Sequence, residues 1–433
     1  MDSATIGGAL PFAQARGLAT WPSTTQAPSI RRVPPTAPAS LFAPLLLAAA
    51  LAAPLAAQAV KTGADVLQTR GVQALAGRKV GLITNHTGRT ADGVRTVDVL
   101  KQSKDCALVA LFSPEHGWEG LVDDKVGNTT DGATGLVVYS LYGETRTPTD
   151  AMLQGVDTLV FDIQDIGCRF YTYVSTMRNC LETAAKKQLR FVVLDRPNPI
   201  GGVKMEGPVL AAERQDFVGA HRIPLRHGMT AGELARMIVG EDALRCDLHV
   251  VPCEGWQRAD LLDQTGQPWI HPSPNMRRLT QALTYPGMGL WEGTNLSVGR
   301  GTDTPFEILG APWIDGRKLA ERLTAAKLPG VAFVPTTFTP TSSKHQGKAC
   351  GGVHVLVTDW RAFEAVRTGV HIGCALRALF PDAWDTKKID WLLKHQPTAD
   401  ALLAGGEPDA ICAGWQKELE LFRLRRKPFL LYE

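Results

Sequence analysis

Short apolar runs alternate along this chain with longer segments of helical period. The runs have the length of buried strands and occur at residues 80–84, 107–112, 157–163, 191–195 and 248–251. Each run is apolar at nearly consecutive positions, as in strands that are covered on both faces. Between the runs, apolar residues recur at helical spacing over 170–187, and a second helix is expected near 94–102. The pattern predicts an α/β fold with a Rossmann-like parallel sheet in the N-terminal domain and helices on both sides of that sheet.

One helix start can be placed to the residue. Thr230 is followed three positions later by Glu233, the spacing of a capping box in which each side chain bonds the other's backbone N–H. A helix is therefore expected over 230–240, directly before the strand at 248–251.

The pattern changes near residue 280. Residues 284–307 are rich in Gly and Thr and are expected to be irregular. The chain then predicts two strands and three helices. The strands are expected at 331–338 and 351–359, and the helices at 317–326, 363–379 and 410–423. We interpret residues 60–279 as the Rossmann-like catalytic domain and residues 280–433 as a smaller α+β C-terminal domain.

The first 59 residues are expected to lie outside the fold. Residues 42–57 are apolar and uncharged, follow a pair of arginines, and end at a small-x-small sequence that closes on Ala59. This order is typical of a secretory signal peptide, here with an extended N-terminal region and cleavage after Ala59. A membrane anchor is the alternative, but Pro44 and Pro54 interrupt a run that is already short for a span. The protein is expected to be periplasmic or secreted, with no membrane contact after cleavage.

Composition narrows the functional classes. Of the 433 residues, 44% are hydrophobic and 21% charged, the balance of a globular protein. A formal net charge of +3 provides no broad basic face, so a nucleic-acid partner is not expected. The eight cysteines form no CxxC pair. Cys246 and Cys253 bracket a strand and are too far apart to bridge each other, about 23 Å at ~3.3 Å per residue, and other pairings stay open.

Polar residues follow four of the predicted strands. Because the carboxyl ends of parallel strands share one edge, and ligands of such sheets bind there, these residues are candidates for one site. They are Asn85, Glu115, His116, Gln164, Asp165, Arg169, Tyr171, Arg196 and Asn198. The first strand-to-helix turn lacks GxGxxG spacing, residues 298–302 lack the ending of a P-loop, and no two histidines have ligand spacing on one helix. No cofactor and no metal are expected.

Glu115 is the main catalytic candidate. It stands between Pro114 and His116 at the end of a buried strand. A carboxyl group kept protonated in such surroundings can give its proton to a leaving oxygen. Glycoside hydrolysis usually needs a second carboxylate. Candidates for it are Asp165, Glu206 and Glu292, of which Glu292 has neighbours suited to a sugar site in Trp291, Asn295 and Arg300.

Several long blocks of the chain resemble a known family. In chain order they read GLITNHTG, LFSPEHG, VFDIQDIGCRFYTYVSTM, VLDRPNPIGG, EGP, LWEGTNLSVGRGT, PFE and FLLYE. Their order over residues 77–433 is similar to that of the NamZ-type exo-β-N-acetylmuramidases, a glycoside hydrolase family. The resemblance implies a Rossmann-like domain and a smaller C-terminal domain, with the active site in the cleft between them. It also implies release of N-acetylmuramic acid from the non-reducing ends of peptidoglycan fragments, and it makes Glu115 the catalytic glutamate, with the second role open.

The substrate implied by the resemblance carries a lactyl carboxylate, which calls for an arginine fork or backbone N–H groups. Arg169, Arg196 and Arg300 are candidates for that fork, and Tyr171, Tyr173 and Trp291 could stack on a pyranose ring. Asn85, Asp165 and His116 are expected to orient water or sugar hydroxyls, with Asn198 and Asn295 completing the substrate site. The expected partner is a MurNAc-GlcNAc saccharide. One alternative is an esterase or amidase, which would need a serine elbow, and no GxSxG occurs. The other alternative is an exported muropeptide-binding protein without catalysis.

Overall fold

The computed structural model describes residues 59–122 and 124–433. The predicted signal peptide lies outside the described residues except for Ala59, and it stays a prediction. Within the described part of the chain, none of the helices has the length and apolar character needed to span a bilayer.

Ten strands and eleven α-helices make up the described chain. The strands are β1 (Lys79–Thr84), β2 (Ala107–Ser113), β3 (Thr129–Thr130), β4 (Val137–Ser140), β5 (Thr158–Asp162), β6 (Arg190–Leu194), β7 (Asp247–Val251), β8 (Ile308–Ala311), β9 (Val331–Phe338) and β10 (Cys350–Val357). The helices are α1 (Gly63–Arg70), α2 (Thr96–Gln102), α3 (Tyr173–Lys187), α4 (Ala231–Glu241), α5 (Leu279–Met288), α6 (Gly316–Ala325), α7 (Ala365–Leu379), α8 (Asp390–Leu393), α9 (Gln396–Leu403), α10 (Pro408–Ala413) and α11 (Gln416–Arg426).

Seven strands form one large sheet in the order β3-β4-β2-β1-β5-β6-β7. All neighbouring pairs are parallel except β3 with β4. Without the short β3, the order is that of a Rossmann sheet, whose switch point lies between β1 and β5, since the chain leaves those two strands in opposite directions. The predicted parallel sheet and its five strands are confirmed.

Alternate strand residues pack against helices on the two faces of this sheet. Val80 and Leu82 of β1 belong to a cluster with residues of α1 and α2. Ile83 of the same strand belongs to a second cluster with residues of α3 and α4. The helix starts follow local chemistry: Thr62 with Asp65 caps α1, and Thr230 with Glu233 caps α4 as predicted.

The smaller sheet is antiparallel, in the order β8-β10-β9. It confirms an α/β fold with a second, smaller part. The second hydrophobic cluster of the large sheet continues without interruption into this part, through residues of α5, α7 and β10. The proposed domain boundary at 279/280 falls at the start of α5, and the domain limits stay a prediction.

The expectation of irregular chain at residues 284–293 is wrong. The helix α5 runs through Pro286, and a 3-10 turn at Gly289–Gly293 follows directly. The glycines serve packing here: a Cβ on Gly287 would lie 1.9 Å from the carbonyl oxygen of Ala365, and one on Gly369 would lie 2.6 Å from the carbonyl oxygen of Gly287. Glycine at both positions lets the backbones of α5 and α7 cross in contact.

Two helix predictions also need correction. Helix α3 begins at Tyr173, so that Phe170 belongs to the preceding loop, where its ring packs edge-on against Tyr285 at 5.0 Å. The helix expected over 410–423 is two helices, α10 and α11, separated at Gly414. Apolar periodicity continues across both irregularities because the loop residues are buried as well.

Candidate active site

Glu115 lies in a sharp turn at the end of β2. The backbone N–H of Gly117 donates to the carbonyl of Pro114 at 3.1 Å, and the ring of His116 bonds the carbonyl of Val122 at 2.8 Å. His116 and Gly117 have φ of 70° and 75°. A histidine in this left-handed region is uncommon and marks a constrained segment. The turn holds the Glu115 side chain half-buried on the wall of a cleft.

Two hydroxyl groups hold the Glu115 carboxylate. The Thr172 hydroxyl, just before α3, donates a hydrogen bond to Oε2. Burial, together with the hydrogen bond to Glu115 and its charge, raises the pKa of Tyr142 to about 12. Tyr142 therefore keeps its proton and remains a donor to Glu115 across the neutral range. The carboxylate is oriented by neutral donors.

The cleft measures about 890 Å³ and opens to solvent. Its lining includes Glu115 and Tyr142 from the ends of β2 and β4, and Glu292 from the 3-10 turn after α5. Residues 342–344 close a further side. The cleft is thus built by both parts of the chain.

Glu292 faces the cleft in an ion pair. Its Oε1 accepts from Nε of Arg300 at 2.5 Å, and its backbone carbonyl accepts from the Lys344 ammonium group. Tyr285 lines the same cleft, and its pKa is raised well above its ordinary value, chiefly by burial and further by the negative charges of Glu292 and Glu115.

Several side chains that line this cleft were not predicted from the sequence, among them Tyr142, Arg146, Asp216 and Lys344. The Arg146 guanidinium lies 4.1 Å from the ring centroid of Phe217 and 5.4 Å from that of Tyr142. Asp216 pairs with Lys394 at 2.6 Å. Tyr142 and Arg146 follow β4. Recognising that strand would have identified them as residues at a strand end, but β4 is too short to be predicted. Asp216 lies in a loop without any periodic pattern.

Five of the predicted site residues line the cleft together. They are Glu115, His116, Tyr171, Glu292 and Arg300. They come from three separate blocks of the sequence, so their convergence is a property of the fold.

The ends of β1 and β5 do not open on the cleft, contrary to expectation. The Asn85 side chain donates to the Tyr173 hydroxyl at 3.2 Å, and that hydroxyl donates to the carbonyl of Pro272. Asp165 is buried and accepts from the backbone N–H of Gly167 at 2.7 Å. A segment around Pro272 therefore covers the switch point of the sheet. The Tyr173 ring is likewise buried and does not line the cleft.

The polar residues after β6 are also enclosed. Arg196 is 7% exposed and binds Asp162 through Nε at 2.6 Å and through Nη2 at 3.0 Å. Asn198 is buried and donates to the carbonyl of Met229 at 2.9 Å. Both side chains fasten the sheet edge to later segments and cannot reach a ligand in the cleft.

Arg169 and Trp291 are core residues as well. The Arg169 guanidinium is buried and donates to backbone carbonyls, among them that of Leu393 at 2.7 Å. Burial lowers the pKa of Arg169 to about 10. Trp291 is 1% exposed and packs edge-on against Trp384 at 5.7 Å, so its ring cannot stack on a sugar.

Two further predicted residues lie outside the cleft lining. Asn295 donates to the carbonyl of Ala383 at 2.9 Å and so ties the loop after Glu292 to the C-terminal helices. Glu206 binds Arg226 at 2.7 Å and the backbone N–H of Val366 at 2.9 Å. Of the three carboxylates considered as partners of Glu115, only Glu292 shares its cleft.

Both parts of the chain match one described family. Residues 80–280 match the family described as "Exo-beta-N-acetylmuramidase NamZ, N-terminal", and residues 283–432 match its C-terminal counterpart. The chain is 44% identical over 378 residues to the peptidoglycan beta-N-acetylmuramidase NamZ of Bacillus subtilis (strain 168), covering 86% of this chain and 91% of that protein.

Two solved structures show the same fold. Both are of DUF1343 family proteins from Bacteroides fragilis NCTC 9343. One superposes with a TM-score of 0.81 at 38% identity, covering 86% of this chain and 99% of its own. The other has a TM-score of 0.72 at 31% identity, covering 87% and 99%. With matches across both parts of its length, the chain belongs to the NamZ family of exo-β-N-acetylmuramidases.

Proposed function

We propose that this protein is an exo-acting glycosidase that releases N-acetylmuramic acid from the non-reducing ends of peptidoglycan fragments. The observation that carries the proposal is Glu115, a half-buried carboxylate on the wall of an open cleft, oriented by the hydroxyls of Thr172 and Tyr142. Membership in the NamZ family supports the same activity.

The geometry supports general acid catalysis by Glu115. In this scheme its carboxyl group gives a proton to the glycosidic oxygen as the bond to the sugar breaks. Positive charge then develops on the sugar ring, and a second carboxylate stabilises it or activates water. Glu292 takes that role, because it shares the cleft with Glu115 while Asp165 and Glu206 are enclosed elsewhere.

Arg146 is suited to bind the lactyl carboxylate that distinguishes N-acetylmuramic acid from N-acetylglucosamine. Arg300 is already paired with Glu292, and Lys344 donates to a backbone carbonyl. Arg146 stacks on Phe217 and forms no ion pair with any residue that the structure describes. A guanidinium fixed against an aromatic ring, with its N–H edge unused, is ready to take a carboxylate in two hydrogen bonds.

The setting follows from the predicted signal peptide: we propose an exported, periplasmic or secreted enzyme acting in cell-wall turnover or recycling. The fold supports cleavage after Ala59, since the next residue is already integrated. Val60 is buried, and its backbone N–H donates to the carbonyl of Thr265 at 2.9 Å. N-terminal sequencing of the exported protein tests this, with Val60 expected as the first residue.

The activity is tested with two chromogenic substrates, a β-N-acetylmuramide and the matching β-N-acetylglucosaminide. The wild-type protein is expected to release the chromophore from the muramide selectively. Glu115→Gln is expected to lower the rate about a thousandfold, since general acid catalysis contributes about 10²–10⁴. Arg146→Met is expected to raise KM for the muramide and to reduce the preference over the glucosaminide about tenfold or more.

Glu119→Gln is the matched control for Glu115→Gln. Glu119 is exposed, lies four residues further on and does not line the cleft, so normal turnover is expected. Release by a folded Glu115→Gln variant at the wild-type rate would contradict the assignment of the acid. No release from either substrate, with tight muropeptide binding by calorimetry, would instead support a binding protein.

A further inference from the structure

A second depression adjoins the cleft and shares a wall with it. Its volume is about 600 Å³, and three residues line both spaces: Glu292, Lys344 and Trp391. The remaining lining residues are Arg214, Gly293, Lys387, Lys388, Asp390 and Lys394. We call this depression the basic groove. Glu292 and Trp391 lie where the two spaces meet. An extended ligand that leaves the cleft past Glu292 therefore enters the groove directly.

The basic groove holds an excess of positive charge. Five of its lining side chains are cationic and two are acidic. Arg214 is neutralised by Asp390 at 2.5 Å, and Lys394 by Asp216 at 2.6 Å. Lys344, Lys387 and Lys388 form no ion pair with any residue among 59–122 and 124–433.

The charges around Lys344 act on its ammonium group. Burial lowers the pKa of Lys344, Glu292 raises it, and the positive charges of Arg300 and Lys388 lower it further. Repulsion between neighbouring cations is relieved when an anion binds between them. The groove is therefore electrostatically prepared for a negatively charged ligand.

Exposed lysines alone indicate only a solvated surface. In the basic groove they are accompanied by an aromatic ring, which favours a binding site. Trp391 is 50% exposed, a large fraction for the most apolar side chain of the groove. The backbone around it packs closely on the turn that carries Glu292: a Cβ on Gly293 would lie 2.1 Å from the carbonyl oxygen of Lys388 and 3.3 Å from the Cβ of Trp391. An exposed aromatic ring presents a flat apolar face of the kind that packs against a pyranose ring.

A third depression that borders the cleft does not offer the same combination. It contains Arg146 and Arg178, and the Arg178 guanidinium is already paired with Glu182 and Asp242. Of these two depressions, only the basic groove combines an exposed tryptophan with lysines that form no ion pair among the described residues, namely Lys387 and Lys388.

We infer that the basic groove binds the leaving-group side of the substrate, a saccharide chain in which every second sugar carries a carboxylate. Trp391 stacks on a sugar beyond the cleaved bond, and Lys387 and Lys388 bind the carboxylate of a sugar further along. This inference rests on the proposed function, because an enzyme that removes one terminal sugar must hold the rest of the chain outside the cleft.

The test compares a short and a long substrate. The short one is the chromogenic β-N-acetylmuramide, whose aryl group is too small to reach the lysines. The long one is an unlabelled peptidoglycan tetrasaccharide with N-acetylmuramic acid at its non-reducing end. The readout is the ratio of kcat/KM for the tetrasaccharide to kcat/KM for the chromogenic substrate.

Trp391→Ala is expected to lower this ratio about tenfold, and Trp391→Phe to recover most of the loss, because the stacking face is restored. The double variant Lys387→Ala/Lys388→Ala is expected to lower the ratio about fivefold and to weaken its dependence on salt. The control double variant Lys101→Ala/Lys104→Ala removes two exposed lysines far from the groove and is expected to leave the ratio within about twofold.

An unchanged ratio in the Trp391→Ala and lysine variants would overturn the inference while the proposed function stands. Should Trp391→Ala fail to fold, as judged by circular dichroism, the lysine variant decides, since both lysines are exposed. A wild-type protein that cleaves neither substrate would overturn the proposed function. Calorimetric titration of the tetrasaccharide into the same variants then decides the groove separately, with weaker binding than wild type supporting it and equal binding overturning it.

Discussion

The ends of β2 and β6 carry the same kinds of polar side chain and have opposite roles. At the end of β2, Glu115 is half-buried, held by hydroxyl groups and open to the cleft. At the end of β6, Asp195 and Arg196 are fully enclosed. Asp195 accepts from the hydroxyl of Thr230 at 2.7 Å and that of Tyr432 at 2.5 Å. Polar residues at the end of a strand mark a site only where later chain segments leave them uncovered.

The largest effect is expected when a charge is removed from the closed end. Arg196→Met leaves the buried Asp162 without its partner, which is expected to lower the free energy of unfolding by about 3–5 kcal/mol. Turnover per folded molecule should stay near wild type. Urea unfolding and an active-fraction assay measure both quantities.

Arg146→Met is the matched change at the open end. Arg146 is exposed, so the free energy of unfolding is expected to change by less than about 1 kcal/mol while muramide turnover falls. If Arg196→Met instead spared stability and selectively raised KM for the muramide, the contrast between the two strand ends would be wrong.

A smaller effect is expected from pH. Burial raises the pKa of Asp195 from 3.8 to about 6. The folded protein therefore binds more protons than the unfolded chain between these values. The contribution of Asp195 to stability is complete below about pH 4 and is lost as the pH rises to 6, by up to about 1.4 kcal/mol per pH unit. Asp195→Asn should remove this loss, measured as the change in unfolding free energy between pH 4 and pH 6. Equal changes in wild type and variant would show that Asp195 is ionised in the folded protein.

The smallest effect concerns the hydroxyl that positions Glu115. Thr172→Val removes the donor to Oε2 and is expected to lower kcat about tenfold with little change in KM, since a hydrogen bond to a charged group contributes about 1.5–3 kcal/mol at most. Thr172→Ser restores a hydroxyl and should recover most of kcat. An unaltered kcat would mean that Tyr142 alone orients the carboxylate.

The sheet could be predicted from sequence because each of its long strands carries its own signal. The five apolar runs and the capping box at Thr230 are local features, and the structure confirms them. β4 was not predicted because Val137–Ser140 is only four residues long and alternates in burial. For the same reason Tyr142 and Arg146, which follow this strand, were not recognised as site residues. A strand of four residues leaves too few positions for a period to be recognised.

The candidate site was predicted only in part. The polarity of a residue can be read from the local sequence, but its burial depends on distant segments that pack over it. Asn85 and Glu115 follow strands in the same way in the sequence. Nothing near Asn85 signals that Pro272 will cover it, since that contact joins segments almost two hundred residues apart. Asp216 shows the reverse case: its neighbourhood has no pattern, and tertiary packing alone brings it to the cleft.

The glycine contact between α5 and α7 has a mechanical consequence for the cleft. Gly287 and Gly369 hold α5 against α7, and α5 in turn packs through Tyr285 on Phe170 within one uninterrupted hydrophobic cluster. The walls carrying Glu115 and Glu292 are therefore joined through the core rather than through a flexible strap. Closure by rotation of one wall against the other would separate packed side chains and open voids, which interiors resist. The cleft is therefore preformed, and the end of a glycan binds without closure of the two walls. Small-angle scattering should accordingly give the same radius of gyration with and without saccharide.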